Sequence, residues 1–330
     1  MQLFLQQLVN GIVLGATYGL VALGYTMVYG IVQLINFAHG EVVMIGAMVA
    51  LAVIGALAGA HPGLPALAIV LAGTACAMIV CMAVGYTMER VAYRPLRGAP
   101  RLAPLITAIG ISIILQYVAL LVFSRNPLSF PQIVRNPIIN IAGAHISAVQ
   151  IVIIVVSVAM MAGLTALVYR TRLGVAMRAT SENPTVAGLM GVNINRVISS
   201  TFVIGAALGA VAGVMVGTYY GIAHYQMGAL LGLKAFSAAV LGGIGNLAGA
   251  MLGGVLLGIV EALGAGYIGE LTDLCHIAWI SDALAARCAV DHHVVLFGSN
   301  YQDVFAFVVL IGVLIFRPSG LLGERVGDRA

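Results

Sequence analysis

Charge is what this sequence has least of: 8% of its 330 residues are Asp, Glu, Lys or Arg, against about 25% in an ordinary soluble domain. Hydrophobic residues make up 62%, more apolar surface than so few charges can screen from water. A soluble globular protein is excluded. Lysine occurs once, as Lys234 in "GLKAF". A phosphate-cradling loop needs a Gly-rich turn ending in Lys and then Ser or Thr, so this chain holds no ATPase site. Acidic residues inside the apolar runs are too scattered for a proton relay. No Ser-His or paired-Asp constellation stands out either, and "HGEVV" at 39–43 is not the HExxH motif, which argues against an intramembrane enzyme. The opening "MQLFLQQLVNG" has no basic n-region and no cleavage pattern, and no signal peptide is expected. The pI is near 9.0, but the arginines sit in short clusters rather than a basic stripe, so no nucleic-acid partner is implied.

Apolar sequence is what the chain has in abundance. Runs at about 8–33, 42–60, 65–88, 102–124, 147–169, 197–219 and 302–317 reach or approach the ~20 residues of a bilayer crossing. Arginines orient them. Arg90, Arg94, Arg97 and Arg101 fill one connection, Arg170, Arg172, Arg178 and Arg196 a second, and Arg317, Arg325 and Arg329 mark the C-terminal end. The positive-inside rule makes all three cytoplasmic. The connection 125–146, with Arg125 and Arg135, then lies outside. Parity requires 228–265 to enter and return, as two short helices or a re-entrant hairpin reversing at "LGGIGNLAG" (241–249). Irregular backbone at that depth survives only within protein or beside a cavity. The segment 266–301 and the N-terminus fall outside by the same count. The expected fold is all-α: one polytopic transmembrane bundle over 1–330, with about 8–9 membrane segments including that hairpin.

Glycines at 205, 209, 213, 217 and 221, and at 11, 15 and 19, recur every fourth residue, a spacing that lets membrane helices approach backbone to backbone. Tight packing and functional sliding are the two readings. "VLGATYGLVA" (13–22) resembles "VIGAALGAVA" (203–212), which hints at an internal repeat of the kind transporters use. Several polar residues are substrate-pathway candidates. Asn36, His39 and Glu41 fall in "INFAHGE", between two apolar runs. Residues 8–60 as helix would extend ~80 Å, enough for two crossings and a turn. That favours an interfacial turn with Glu41 at a helix N-terminus. An inner gate is the alternative, because ionisable groups within membranes are usually functional. Ser112 and Gln116 share a helix face, either for helix–helix hydrogen bonding or, with Thr107, for lining a pathway. Thr17 and Tyr18 pose the same choice. Glu261 either reaches the interface or faces the pathway.

In the external segment, Cys275 and Cys288 enclose 12 residues, and an oxidising periplasm would permit a disulfide. Free thiols are the alternative; a metal site with His276, His292 or His293 lacks standard zinc spacing. "IAWISDALAA" is readable as an amphipathic helix on the outer surface. Cys76 and Cys81 read as core residues.

The cytoplasmic segment 172–196 carries the most informative pattern. Asn183 suits an N-cap, Pro184 the first helical position and Gly191 the residue just past the end. Between them "PTVAGLM" is about two turns of apolar helix where polar loop is usual. It wants a partner, whether the bilayer surface, its own bundle or another protein. The chain also resembles the LivH-type permease subunits of bacterial branched-chain amino acid ABC transporters. The likeness lies in "NGIVLGATYGLVALGYTMVYGIVQLINFAHGE" (10–41), "ERVAYRPLR" (89–97), "NPTVAGLMGVNINRVISSTFVIGAALGAVAGVM" (183–215), "GLKAFSAAVLGGIGNLAGAMLGG" (232–254) and "RPSGLLG" (317–323). The segment 266–301 departs from that pattern and reads as an insertion of about 25 residues.

The resemblance implies that Pro184, Thr185, Val186, Ala187, Gly188, Leu189, Met190 and Gly191 form a coupling helix docking on an ATPase subunit. Ala187 and Gly191 match the family's EAA-type pattern; Thr185 and Val186 stand where its Glu and first Ala usually do. It implies two ATPase subunits holding ATP and Mg, a second permease chain (related or identical), and a periplasmic amino-acid-binding protein. It places the chain in the bacterial inner membrane with the C-terminus cytoplasmic and no cofactor of its own. The substrate implied is Leu, Ile or Val. Related permeases carry urea, amides or other neutral amino acids, and an ATP-independent channel or secondary transporter is the reading from another class.

Overall fold

A computed structural model describes residues 2–61, 63–100, 102–133, 136–141, 143–271 and 301–323. Among the described residues, eleven α-helices follow in chain order: α1 Gln2–Val32, α2 His39–Ala60, α3 Ala66–Thr87, α4 Leu102–Val122, α5 Ala148–Arg170, α6 Arg172–Glu182, α7 Pro184–Leu189, α8 Ile194–Tyr220, α9 Met227–Gly242, α10 Leu247–Leu271 and α11 Gln302–Phe316. Seven of them (α1 to α5, α8 and α10) are long and apolar enough to cross a membrane, and α9 and α11 are shorter apolar helices. The protein is a multi-pass, all-α membrane bundle. The strands among the described residues are two antiparallel pairs, β1 Leu128–Ser129 with β4 Ile222–Ala223, and β2 Ile138–Ile141 with β3 Ala144–Ser147.

The bundle has two distinct ends. Arg90, Arg94 and Arg196 line one cavity, Arg97 lies near Pro184 in another, and Arg178 neighbours Gly245 in a third. The α3–α4 connection, α6, α7 and the α9–α10 turn therefore gather at one arginine-rich end. At the opposite end, Gln6 of α1 exchanges hydrogen bonds with the His145 backbone, 2.7 and 3.1 Å long.

α1 and α8 occupy the centre, and small residues put them there. A Cβ on Gly15 would lie 2.5 Å from the Val255 Cα, so α1 and α10 touch backbone to backbone. α8 packs in the same way against α3 and α2, where Gly85 meets Phe202 and Gly213 meets Val43. The outer helices expose their apolar side chains, such as Leu71, Ile79, Ile106, Leu121 and Val155, a surface suited to lipid rather than water.

The architecture is an inverted repeat. Gly205 of α8 neighbours Gly24 and Val28 of α1, whereas Tyr220 and Tyr18 meet at the other end. α1 and α8 are thus antiparallel. Each is followed by an interrupted stretch, a second helix (α2, α9) and a third (α3, α10). Packing is crosswise: α1 of the first unit lies on α10 of the second, and α8 of the second on α3 of the first.

The structure refines some sequence expectations and corrects others. The reversal within 241–249 narrows to Gly243–Asn246, where Gly243 and Gly245 adopt φ of +103° and +98°. The hairpin is asymmetric, with α9 of 16 residues and α10 of 25. α10 runs to Leu271, so the segment expected to start at 266 begins as helix. Cys275, Cys288 and the neighbouring histidines lie outside the described residues. Residues 172–182 are helix rather than loop: Thr171 caps α6 by accepting from the Gly174 amide at 3.1 Å. Cys76 is exposed, and only Cys81 is in the core.

Candidate functional site

The stretch after α1 does not stay at the end of the bundle. Helix α1 closes at Val32, and Gln33 takes a left-handed φ of +54°. Asn36 then shapes the return, its Oδ1 accepting from the Ala38 amide at 3.2 Å and from Tyr93 Oη at 2.7 Å. This carries the chain back inside. The His39 ring fills the space where Gly24 lacks a side chain, and Gly40 lies against Gly228 and Gly232.

Glu41 is fully buried, and its Oε1 accepts from Ser112 Oγ at 3.1 Å and Gln116 Nε2 at 2.7 Å. Ser112 lies midway along α4. His39 and Glu41 are therefore well inside the bundle, and the expected interfacial turn is displaced to residues 33–38. The reason is that glycines on α1 and α9 leave room for it and α4 supplies donors for the carboxylate. α9 repeats the device. After Gly221 (φ +69°) the chain turns back, and the Met227 amide donates to His224 O at 3.1 Å. The N-termini of α2 and α9, both partially positive, meet at Gly40 and Gly228. Glu41 Oε2, without a hydrogen-bond partner, points at Gly228.

A second polar centre lies nearer the end opposite the arginines. Lys234 Nζ is 2.7 Å from Glu261 Oε1, 2.6 Å from Asp303 Oδ1 and 3.3 Å from Tyr18 Oη, and Tyr18 Oη donates to Glu261 Oε1 at 3.1 Å. α1, α9, α10 and α11 each contribute one member. Glu261 is 2% exposed, so it does not reach out to the interface. Tyr18, Lys234 and Asp303 line a cavity of about 370 Å³ whose remaining wall is largely apolar, with Val216, Leu230 and Leu231.

At the arginine end, α7 is capped as its sequence predicts. Asn183 Oδ1 accepts from the Thr185 and Val186 amides at 3.0 and 3.1 Å, and Gly191 takes φ +87°. Ala187 faces inward, while Val186, Leu189 and Met190 are exposed, the last two by more than 80%. Behind α7 a buried carboxylate braces the bundle. Glu89, on a π-helical turn over Met88–Tyr93, pairs with Arg97 and accepts from Ser199 Oγ at 2.6 Å, and Arg97 reaches Asn195 Oδ1 at 2.6 Å.

The model for the permease component of branched-chain amino acid transport systems matches residues 7–314. The chain belongs to this family. The permease is 47% identical over 326 residues to the high-affinity branched-chain amino acid transport system permease protein BraD of Pseudomonas aeruginosa, covering 97% of this chain and 96% of that one. It is 43% identical over 328 residues to the corresponding LivH protein of Escherichia coli K12, with the same coverage. A probable LivH permease of Methanocaldococcus jannaschii is 28% identical over 194 residues, covering 59% of this chain and 60% of that one. No solved structure matches.

Of the permease's candidate pathway residues, the structure brings Glu41, Ser112 and Gln116 into one cluster and Tyr18 and Glu261 into another. Thr17 and Thr107 bond only carbonyls of their own helices, Leu14 and Ala103, and join neither. Lys234, Asp303 and Glu89 are the functional-site candidates that sequence reasoning missed. For Lys234 the signal was present, since a lone lysine in an apolar helix requires a counter-charge.

Proposed function

We propose that this permease is the membrane-spanning subunit of an ABC importer for Leu, Ile and Val, working in a bacterial inner membrane with its C-terminus and arginine end in the cytoplasm. A periplasmic binding protein delivers the amino acid at the opposite end, where the 266–301 segment belongs. ATP and Mg are held by two separate ATPase subunits, and a second permease chain completes the path. The observation that carries the coupling step is α7: a short, well-capped helix with exposed Val186, Leu189 and Met190 on the same end as the arginines. Apolar knobs on a preorganised helix are what a groove in a soluble partner recognises. Movement at α7 reaches the bundle through Asn195–Arg97–Glu89. The N-termini of α2 and α9 form the mid-membrane section of the path, as interrupted helices do in other transporters.

Labelled-leucine uptake into proteoliposomes containing the whole complex tests this reading, with Gly191→Arg in parallel. ATP-dependent uptake that the substitution abolishes, with the permease still folded, supports transport and docking together. Uptake indifferent to ATP or to Gly191→Arg refutes the coupling step. ATP-driven uptake of urea but not leucine refutes the substrate.

A further inference from the structure

Among the described residues, the Lys234 centre is unbalanced by one charge. One ammonium stands between two carboxylates, and among the described residues the pairs of Lys234 with Glu261 and with Asp303 are its only ion pairs. Glu261 Oε2 is buried without a hydrogen-bond partner. A carboxylate poorly hydrated and short of a cation favours a counter-charge. The unoccupied volume beside the triad is where one fits. Lys234 and Asp303 both line the 370 Å³ cavity, and Asp303 is the more open of the two carboxylates, its side chain 30% exposed against 2% for Glu261.

The rest of the cavity fits the remainder of an amino acid. Gln226 and Met227, at the N-terminus of α9, form one edge, and α9 begins without a side-chain cap. That N-terminus favours negative charge but already faces Glu41 Oε2 through Gly228, so a ligand's carboxylate gains little there. Val216, Leu230 and Leu231 supply an apolar wall for a branched aliphatic chain.

We infer that this cavity is a binding site for the α-ammonium group of an aliphatic amino acid, with Asp303 as the receiving carboxylate and Lys234 holding Asp303 and Glu261 in place. The inference rests on the importer reading for its choice of amino acid, but it concerns a site on the permease itself, separate from any binding protein. It predicts recognition by the amine: an analogue without the ammonium loses the contact, and one without the carboxylate keeps it.

Equilibrium binding of labelled leucine to the purified permease in nanodiscs, without ATPase, binding protein or nucleotide, tests it apart from the transport cycle. Unlabelled leucine, its amine (3-methylbutylamine) and its keto acid (4-methyl-2-oxopentanoate) serve as competitors. Expected results are competition by leucine and the amine, at least tenfold weaker competition by the keto acid, and at least tenfold weaker leucine binding in Asp303→Asn. Leu230→Trp, which fills the cavity while keeping the three charged side chains, is expected to abolish binding with the melting temperature retained. It stands in if Asp303→Asn fails to fold. Equal competition by the keto acid, or unchanged leucine binding in a folded Asp303→Asn or Leu230→Trp, overturns the inference. So does an absence of binding by a permease that still supports ATP-driven leucine uptake, and in that case the importer reading stands. Binding with no ATP-driven uptake in the full complex would leave the site standing and remove the importer.

Discussion

Gly40→Ala is the sharpest probe of the meeting point between α2 and α9. The added methyl would lie 2.2 Å from the Gly228 carbonyl oxygen and 2.9 Å from the Gly232 Cα. Both are backbone atoms, so no side-chain rotamer relieves the clash. Restoring an ordinary contact of ~3.5 Å requires the two helix ends to part by more than 1 Å. Overpacking of this kind costs about 1–3 kcal/mol, a roughly 5- to 160-fold loss in the ratio of folded to unfolded protein. Gly59→Ala is the control: it sits in the same helix with nothing within 4 Å of its Cβ position, and is expected to be neutral or stabilising by about 0.5–1 kcal/mol. Denaturant titration in mixed micelles, followed by helical circular dichroism, reads the difference. Parting the ends also draws Glu41 away from Ser112 and Gln116, so leucine uptake should fall with stability. If Gly40→Ala and Gly59→Ala are equally stable and equally active, the close approach of the two half-helices is refuted.

Four further outcomes are expected. Asn183→Ala removes the cap on α7 and should cost that helix about 0.5–2 kcal/mol, seen as faster amide exchange over 185–190 with the rest of the bundle unchanged. Leu189→Asp, at a position 83% exposed, should leave the melting temperature alone while lowering co-purification of the ATPase and leucine-stimulated ATP hydrolysis. Arg97→Ala leaves the fully buried Glu89 without its cation and should destabilise by about 3–5 kcal/mol; pairing it with Glu89→Gln should recover most of that loss in a denaturant titration. Gln116→Leu deletes the shorter of the two hydrogen bonds to buried Glu41 and should cost about 1–3 kcal/mol, whereas Gln116→Glu, which sets two carboxylates together, should be worse in both stability and uptake.

The sequence made the spans and α7 legible because both rest on local rules. Hydropathy over ~20 residues marks a crossing, and Asn183, Pro184 and Gly191 act within one short helix. Depth was not legible. Counting residues favours an interfacial turn at "INFAHGE" over an inner gate, but the count cannot show that residues 33–38 double back. That depends on Gly24, Gly228 and Gly232, which are distant in sequence. The same holds for Glu261. Beside its neighbours it is an acid near a helix end; beside Lys234 and Asp303, brought by two other helices, it belongs to a charged centre. The resemblance of 13–22 to 203–212 was visible as text, yet only the antiparallel placement of α1 and α8 shows that the repeat is inverted.

The crosswise packing of α1 on α10 bears on how the protein is made. Gly11 and Gly15 require Ile259 and Val255 as neighbours, yet about 240 residues of chain separate them. At a synthesis rate of ~5–20 residues per second, the first helix waits roughly 12–50 s for its partner. Throughout that interval its small-residue seam faces lipid or some other helix. α1, which ends up at the centre, leaves the ribosome long before α10 and is enclosed only when α10 arrives, so assembly cannot proceed as a simple stacking of hairpins. A chain cut before α10 should be left with an open seam on α1, and its rapid degradation in cells, compared with a chain cut after α10, is the expected sign of it.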